Sequence, residues 1–217
     1  MATEATSRRP LKVREKAWAH SLASFMVARR VTPNTISLLS VCFSAIAGAC
    51  LFFWQGFDAV GRVVMLVGAA AGIQARLVCN LIDGMVAVEG KMGTKSGEVF
   101  NDMPDRFADL MILVGAGYGI TFTWGHELGW FAGVFAVLTA YVRVLGGALG
   151  LKQSFAGPMA KQHRMAIMTF TSLITAAENT VFHTEYAMVA ALAVIALGSL
   201  YTTFSRAAAV VRELEAK

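Results

Sequence analysis

The sequence predicts an all-α integral membrane protein: six transmembrane helices preceded by an N-terminal amphipathic surface helix. Three observations carry this. Apolar residues make up 56% of the 217 and charged residues only 15%, where a soluble domain carries about 45–50% and about 25%. The apolar residues gather into six runs, each near the roughly 20 residues that a spanning helix needs. The polar connections between the runs alternate in charge. The same numbers exclude a disordered chain and leave no length for a separate soluble domain.

The elements follow in order. Over residues 11–30, Leu11, Trp18, Leu22, Phe25 and Met26 fall on one helical face, with Lys12, Lys16, Arg29 and Arg30 mostly off it. That pattern suits a helix lying on a membrane surface. Pro33 then stops this helix, and Asn34 or Thr35 caps the next. The six apolar segments cover about 34–54, 62–88, 99–122, 129–151, 164–182 and 185–205. The chain thus divides into a basic N-terminal segment at 1–32, a membrane domain at 33–206 and a tail at 207–217.

Charge orients the molecule. Seven of the 19 Lys and Arg precede residue 31. The 89–98 and 152–163 connections and the tail are also basic. The opposite connections hold Asp58, Arg62, Glu127, Glu178 and Glu185. The positive-inside rule then places both termini in the cytoplasm, in a bacterial inner membrane. Anionic lipid is the expected partner of the basic start, at roughly 1 kcal/mol per Lys or Arg, and nucleic acid is not. Cys42, Cys50 and Cys79 lie in apolar runs without metal spacing and read as small buried hydrophobes. Glycines four apart (68/72, 115/119, 129/133, 146/150) permit close helix packing, within one chain or between two.

The chemistry gathers where the second and third segments approach each other. Residues three, four or seven apart share a helical face. Arg76, Asn80, Asp83 and Ala87 therefore form one stripe, and Asn101, Asp105 and Asp109 another. Ionisable groups near a span are costly and mark function by default; the bland alternative is a structural network of Arg76 or Arg106 with carboxylates. Hard oxygen donors favour Mg²⁺ or Mn²⁺ over zinc. Gly84, Ala87 and Gly97 leave room for a substrate to approach the backbone. The pattern suits a phosphate-bearing, nucleotide-activated substrate at the membrane surface. Arg143, and Lys161 with Arg164, are candidate phosphate contacts; headgroup snorkelling is the alternative.

At these residues the sequence resembles the CDP-alcohol phosphotransferases, also called CDP-alcohol phosphatidyltransferases. Their signature runs DxxDGxxAR, then a Gly and two further Asp at four-residue steps. Here Asn80, Asp83, Gly84, Ala87, Gly97, Asn101 and Asp105 keep the spacing throughout. The first and third Asp are replaced by Asn80 and Asn101, and the Arg by Val88.

The resemblance implies a six-helix bundle, usually dimeric, with its active site open to the cytoplasm. It implies transfer of a substituted phosphate from a CDP-linked lipid, such as CDP-diacylglycerol, to an alcohol acceptor, with release of CMP. Asp105 would be the general base. Asn80, Asp83, Asn101 and Asp105 would hold Mg²⁺ or Mn²⁺, as one ion or two. Gly84, Ala87 and Gly97 would line the nucleotide. Two carboxylates fewer leave three outcomes: one tightly held metal, compensation by Glu89, Glu98, Asp102 or Asp109, or a relative that binds nucleotide, lipid or a partner without turnover.

Overall fold

The computed structural model describes residues 16–216, so Leu11 and the basic residues Arg8, Arg9, Lys12 and Arg14 lie outside the described residues. Seven α-helices occupy this range: α1 (Ala17–Ala28), α2 (Pro33–Phe53), α3 (Ala59–Glu89), α4 (Gly97–Tyr118), α5 (Gly125–Ala148), α6 (Lys161–Phe182) and α7 (Tyr186–Glu215). A 3-10 turn, Trp54–Gly56, extends α2.

The fold is all-α, but the expectation of six spans plus an amphipathic helix is corrected. Four helices are long and apolar enough to cross a membrane: α2 with its 3-10 turn, α3, α5 and α7. The other two long helices are too polar, α4 through its charges and α6 through its many Thr, Ser and Asn residues as well. Glu98, Asp102, Asp105, Arg106 and Asp109 occupy α4, and Lys161, Arg164 and Glu178 occupy α6. Counting apolar segments hid this, because the polar residues are interspersed among apolar ones along both helices. The surface-helix expectation changes too. α1 docks on α3 through buried Ala19 and Ala23, with Leu22 and Met26 partly covered. Trp18 and Phe25 of the expected stripe are exposed.

Local chemistry explains the boundaries. Arg30 takes a left-handed conformation after α1, at φ 55°. Thr32, rather than Asn34 or Thr35, caps α2: its hydroxyl accepts from the Thr35 N–H at 3.3 Å, and Pro33 opens the helix. Proline suits that position because its missing N–H would be unpaired there anyway. Asp58 caps α3 by accepting from the Gly61 N–H at 2.9 Å. Glu178 reaches forward to accept from the first amides of α7, Tyr186 N–H at 2.7 Å and Ala187 N–H at 3.0 Å.

The bundle alternates in direction. α3 returns along α2, with Gly72 against Ala47 and Asp83 against Ser37. α4 runs beside α2, where Gly115 and Gly119 meet the backbone at Gly48 and Leu51. The expected glycine packing therefore occurs within one chain. Leu51, Trp54, Leu66, Ile73, Ile112 and Met168 form the buried centre. At the far end, Glu185 accepts from Gln55 Nε2 and from the backbone and hydroxyl of Thr121, closing three connections together.

Candidate active site

At the other end of the bundle, α3, α4 and α6 bring their polar residues together. The two stripes do meet. Asn80 Nδ2 donates to Asp105 Oδ1 at 2.8 Å. Arg76 Nη2 donates to Asp109 Oδ1 at 2.7 Å and lies 3.4 Å from Asp105 Oδ1. Arg76 is fully buried, and its other terminal nitrogen contacts Met165 Sδ at 2.8 Å.

α6 supplies two cations. Lys161 Nζ donates to Asp105 Oδ2 at 2.5 Å. Arg164 donates to Asp109 Oδ2 at 2.5 Å and to the Met159 carbonyl at 2.7 Å. Burial pushes the Lys161 ammonium below the ordinary lysine value, and Asp105 works against that shift. Asp109 is thus clamped between two arginines from different helices, and Asp105 between Lys161, Asn80 and Arg76.

Other candidates sit apart from this inner group. Asp83 is buried and accepts from Ser37 Oγ at 2.7 Å. Asn101, one turn before Asp105 on α4, is exposed. Gly84 and Ala87 are half-buried on the last turns of α3, Val88 is exposed, and Gly97 is the first residue of α4. Arg143, on α5, pairs with Asp102, which also binds Arg106 at 3.2 Å. Its guanidinium donates to Gln153 at 3.1 Å and lies 5.1 Å from the Phe155 ring centre. A small cavity of about 20 Å³ beside it is lined by Arg143, Lys152, Ser154 and Arg206 among others. Of the neighbouring acids, Asp102 and Asp109 are committed to arginines and Glu89 pairs with His20 at 2.9 Å.

The donor set is tested against a divalent metal by what each oxygen already does. Among the described residues no three His, Cys, Asp or Glu side chains are grouped to hold one. Asn80 Oδ1, however, is buried with no hydrogen-bond partner, in a group of hard oxygen donors. A buried unpaired carbonyl costs about 1–3 kcal/mol, and a cation there would satisfy it. The residues fit one hard cation on the Asn80–Asp83 side.

Two participants escaped sequence reasoning. Ser37 holds Asp83; its signal was the row of buried serines at 37, 40 and 44, spaced three and four apart in an apolar run. Arg206 donates to the Thr139 and Ala156 carbonyls from inside the bundle.

No protein-family model matches the chain. It is similar to curated phosphatidylinositol phosphate synthases. The one from Mycobacteroides abscessus is 26% identical over 198 residues, 87% of this chain and 81% of that protein. The one from Streptomyces avermitilis is 26% identical over 202 residues, 88% and 77%. The fold is that of the Mycobacterium tuberculosis phosphatidylinositol phosphate synthase. Its crystal structure with CDP-DAG bound matches at TM-score 0.71 and 20% identity, over 88% of this chain and 92% of that one. Its complex with manganese and citrate matches equally well, at TM-score 0.71 over 88% of each chain.

Proposed function

We propose that this chain, a member of the CDP-alcohol phosphatidyltransferase family and a homologue of the phosphatidylinositol phosphate synthases, moves a phosphatidyl group from a CDP-linked lipid to an alcohol and releases CMP. The observation that carries the reading is Asp105, buried where α3, α4 and α6 converge, at the position matching the family's catalytic base. Lys161 and Arg76 pair with its carboxylate, and a carboxylate so placed can accept a proton from an attacking hydroxyl. Such base catalysis contributes typically about 10²–10⁴-fold.

Divalent-metal dependence is supported by the manganese complex of the similar structure and by the unpaired Asn80 oxygen. Asn80 and Asp83 would hold the ion, with Asn101 and Asp105 as the remaining family positions. A bound Mg²⁺ or Mn²⁺ supplies positive charge for a diphosphate that gains negative charge as it cleaves. Gly84, Ala87 and Gly97 keep bulk away from the nucleotide. Arg143 and Lys152, beside the small cavity, would meet an acidic group on the acceptor. Arg164 acts from within, positioning Asp109 and through it Arg76. The basic end of the molecule, with the site, faces the cytoplasm.

The test is CMP release by purified protein from CDP-diacylglycerol, with Mg²⁺ or Mn²⁺ and a panel of alcohols that includes inositol phosphate, glycerol phosphate and serine. Asp105→Asn should lower the rate by about 10²-fold or more. Full activity in that variant would remove Asp105 from the base role. Metal-dependent stabilisation by CDP-diacylglycerol with no turnover on any acceptor would mark the chain as a binding relative.

A further inference from the structure

We propose that the Lys161 ammonium stands in for a divalent cation in this centre, so that the site takes up at most one metal ion and Lys161 holds Asp105 in position. The proposal rests on the phosphatidyltransferase reading of the site, but its evidence is charge and geometry. Asp105 and Asp109 of the inner group pair with Arg76, Lys161 and Arg164, Arg106 lies 3.9 Å from Asp105, and neighbouring Asp83 adds a third buried acid within the influence of Lys161, so cations already match the acids without metal. The outer carboxylate, Asp102, already lies between Arg106 and Arg143. Acids at positions 80 and 101 would have added two negative charges, as many as one divalent cation offsets. This chain has amides at both positions and a lysine at Asp105.

The contacts say the same. Both Asp105 oxygens are engaged, Oδ2 by Lys161 at 2.5 Å and Oδ1 by Asn80 at 2.8 Å. A carboxylate at position 80 would set two anions in contact and require a cation between them. The amide offers an N–H instead. Its own oxygen stays buried and unpartnered, which leaves one place for an ion at Asn80 and Asp83 and none at Asp105. Lys161 is also firmly placed. It is the first residue of α6, and buried Arg164 locks the following turn.

The test counts Mn²⁺ bound to the purified full chain in detergent by electron paramagnetic resonance, without lipid or nucleotide. The unaltered chain should bind no more than one ion. Lys161→Met should take up one more, or bind the first about tenfold tighter, because a repelling charge is gone. Lys161→Arg should behave like the parent. Thermal unfolding separates charge from packing: Lys161→Met should melt below the parent without metal and recover with Mn²⁺, which a packing defect would not do. Two ions of similar affinity in the parent overturn the proposal. So does a Lys161→Met variant with the parent's count, affinity and metal response. If that variant does not fold, Asn101→Asp decides, since position 101 is exposed. It should tighten Mn²⁺ about tenfold, and unchanged affinity overturns the charge balance. None of these measurements uses turnover, so failure of CMP release and failure of this proposal remain distinguishable.

Discussion

Arg164 places a full charge in the interior, with 1% of its side chain accessible and Asp109 equally enclosed. Breaking such a pair from one side leaves the other charge uncompensated, at about 3–5 kcal/mol. Arg164→Met should therefore lower the thermal unfolding midpoint markedly. Removing all three charges, as Asp109→Leu with Arg76→Met and Arg164→Met, should restore part of the loss, because an apolar replacement no longer strands a charge. A triple variant no more stable than Arg164→Met alone would contradict this account. The residue-level chemistry was only partly legible beforehand. Helical spacing brought Arg76, Asn80 and Asp83 onto one stripe and Asn101, Asp105 and Asp109 onto another, and α3 and α4 do join them. Spacing could not show that Asn101 faces solvent while Asp105 is enclosed. Nor could it pair Lys161 with Asp105 across 56 residues, since that depends on where α6 lands.

α4 illustrates how an element can be charged at one end and tightly packed at the other. Its acids end at Asp109; beyond them Gly115, and Gly119 just past the helix, lie directly on the α2 backbone. Pro104 interrupts the charged half, and lacking an N–H it cannot donate to the preceding turn. Small residues at a helix crossing let backbones approach closely. Gly115→Leu should force α2 and α4 apart and destabilise by about 1–3 kcal/mol. It should also weaken the site, because Asp105 and Asp109 ride on the same helix. Gly68→Ala is the control: a methyl there would meet only Cys50 Sγ, at an ordinary 3.5 Å. Equal stability of the two variants would show that the α2–α4 contact does not set the bundle. The glycine spacing was visible in the sequence, but which pairs matter was not. Gly150, for instance, lies beyond α5 at φ 78°, where it ends a helix instead of packing one.

For the whole molecule, sequence and structure part at the number of spans. A hydropathy pattern averages over a helix, so α4 and α6 register as apolar runs although their buried faces hold charge. What survives is the asymmetry of the two ends. The site end carries Lys16, Arg29, Arg30, Lys91, Lys95 and Lys152, while the far end has Arg62 amid Asp58, Glu127, Glu178 and Glu185. Arg62 is itself occupied there, donating to the Phe57 and Gln55 carbonyls and to Asn179. Lysine and arginine are retained on the cytoplasmic side of a membrane, so the proposed orientation turns the site end toward the cytoplasm. Single cysteines placed at Lys91 and at Glu127, in a chain whose own Cys42, Cys50 and Cys79 are replaced by serine or alanine, test the orientation directly. In intact cells stripped of any outer envelope, a membrane-impermeant maleimide should label position 127 and spare position 91 until the membrane is opened. The reverse pattern would turn the site outward and separate it from a cytoplasmic supply of CDP-linked lipid.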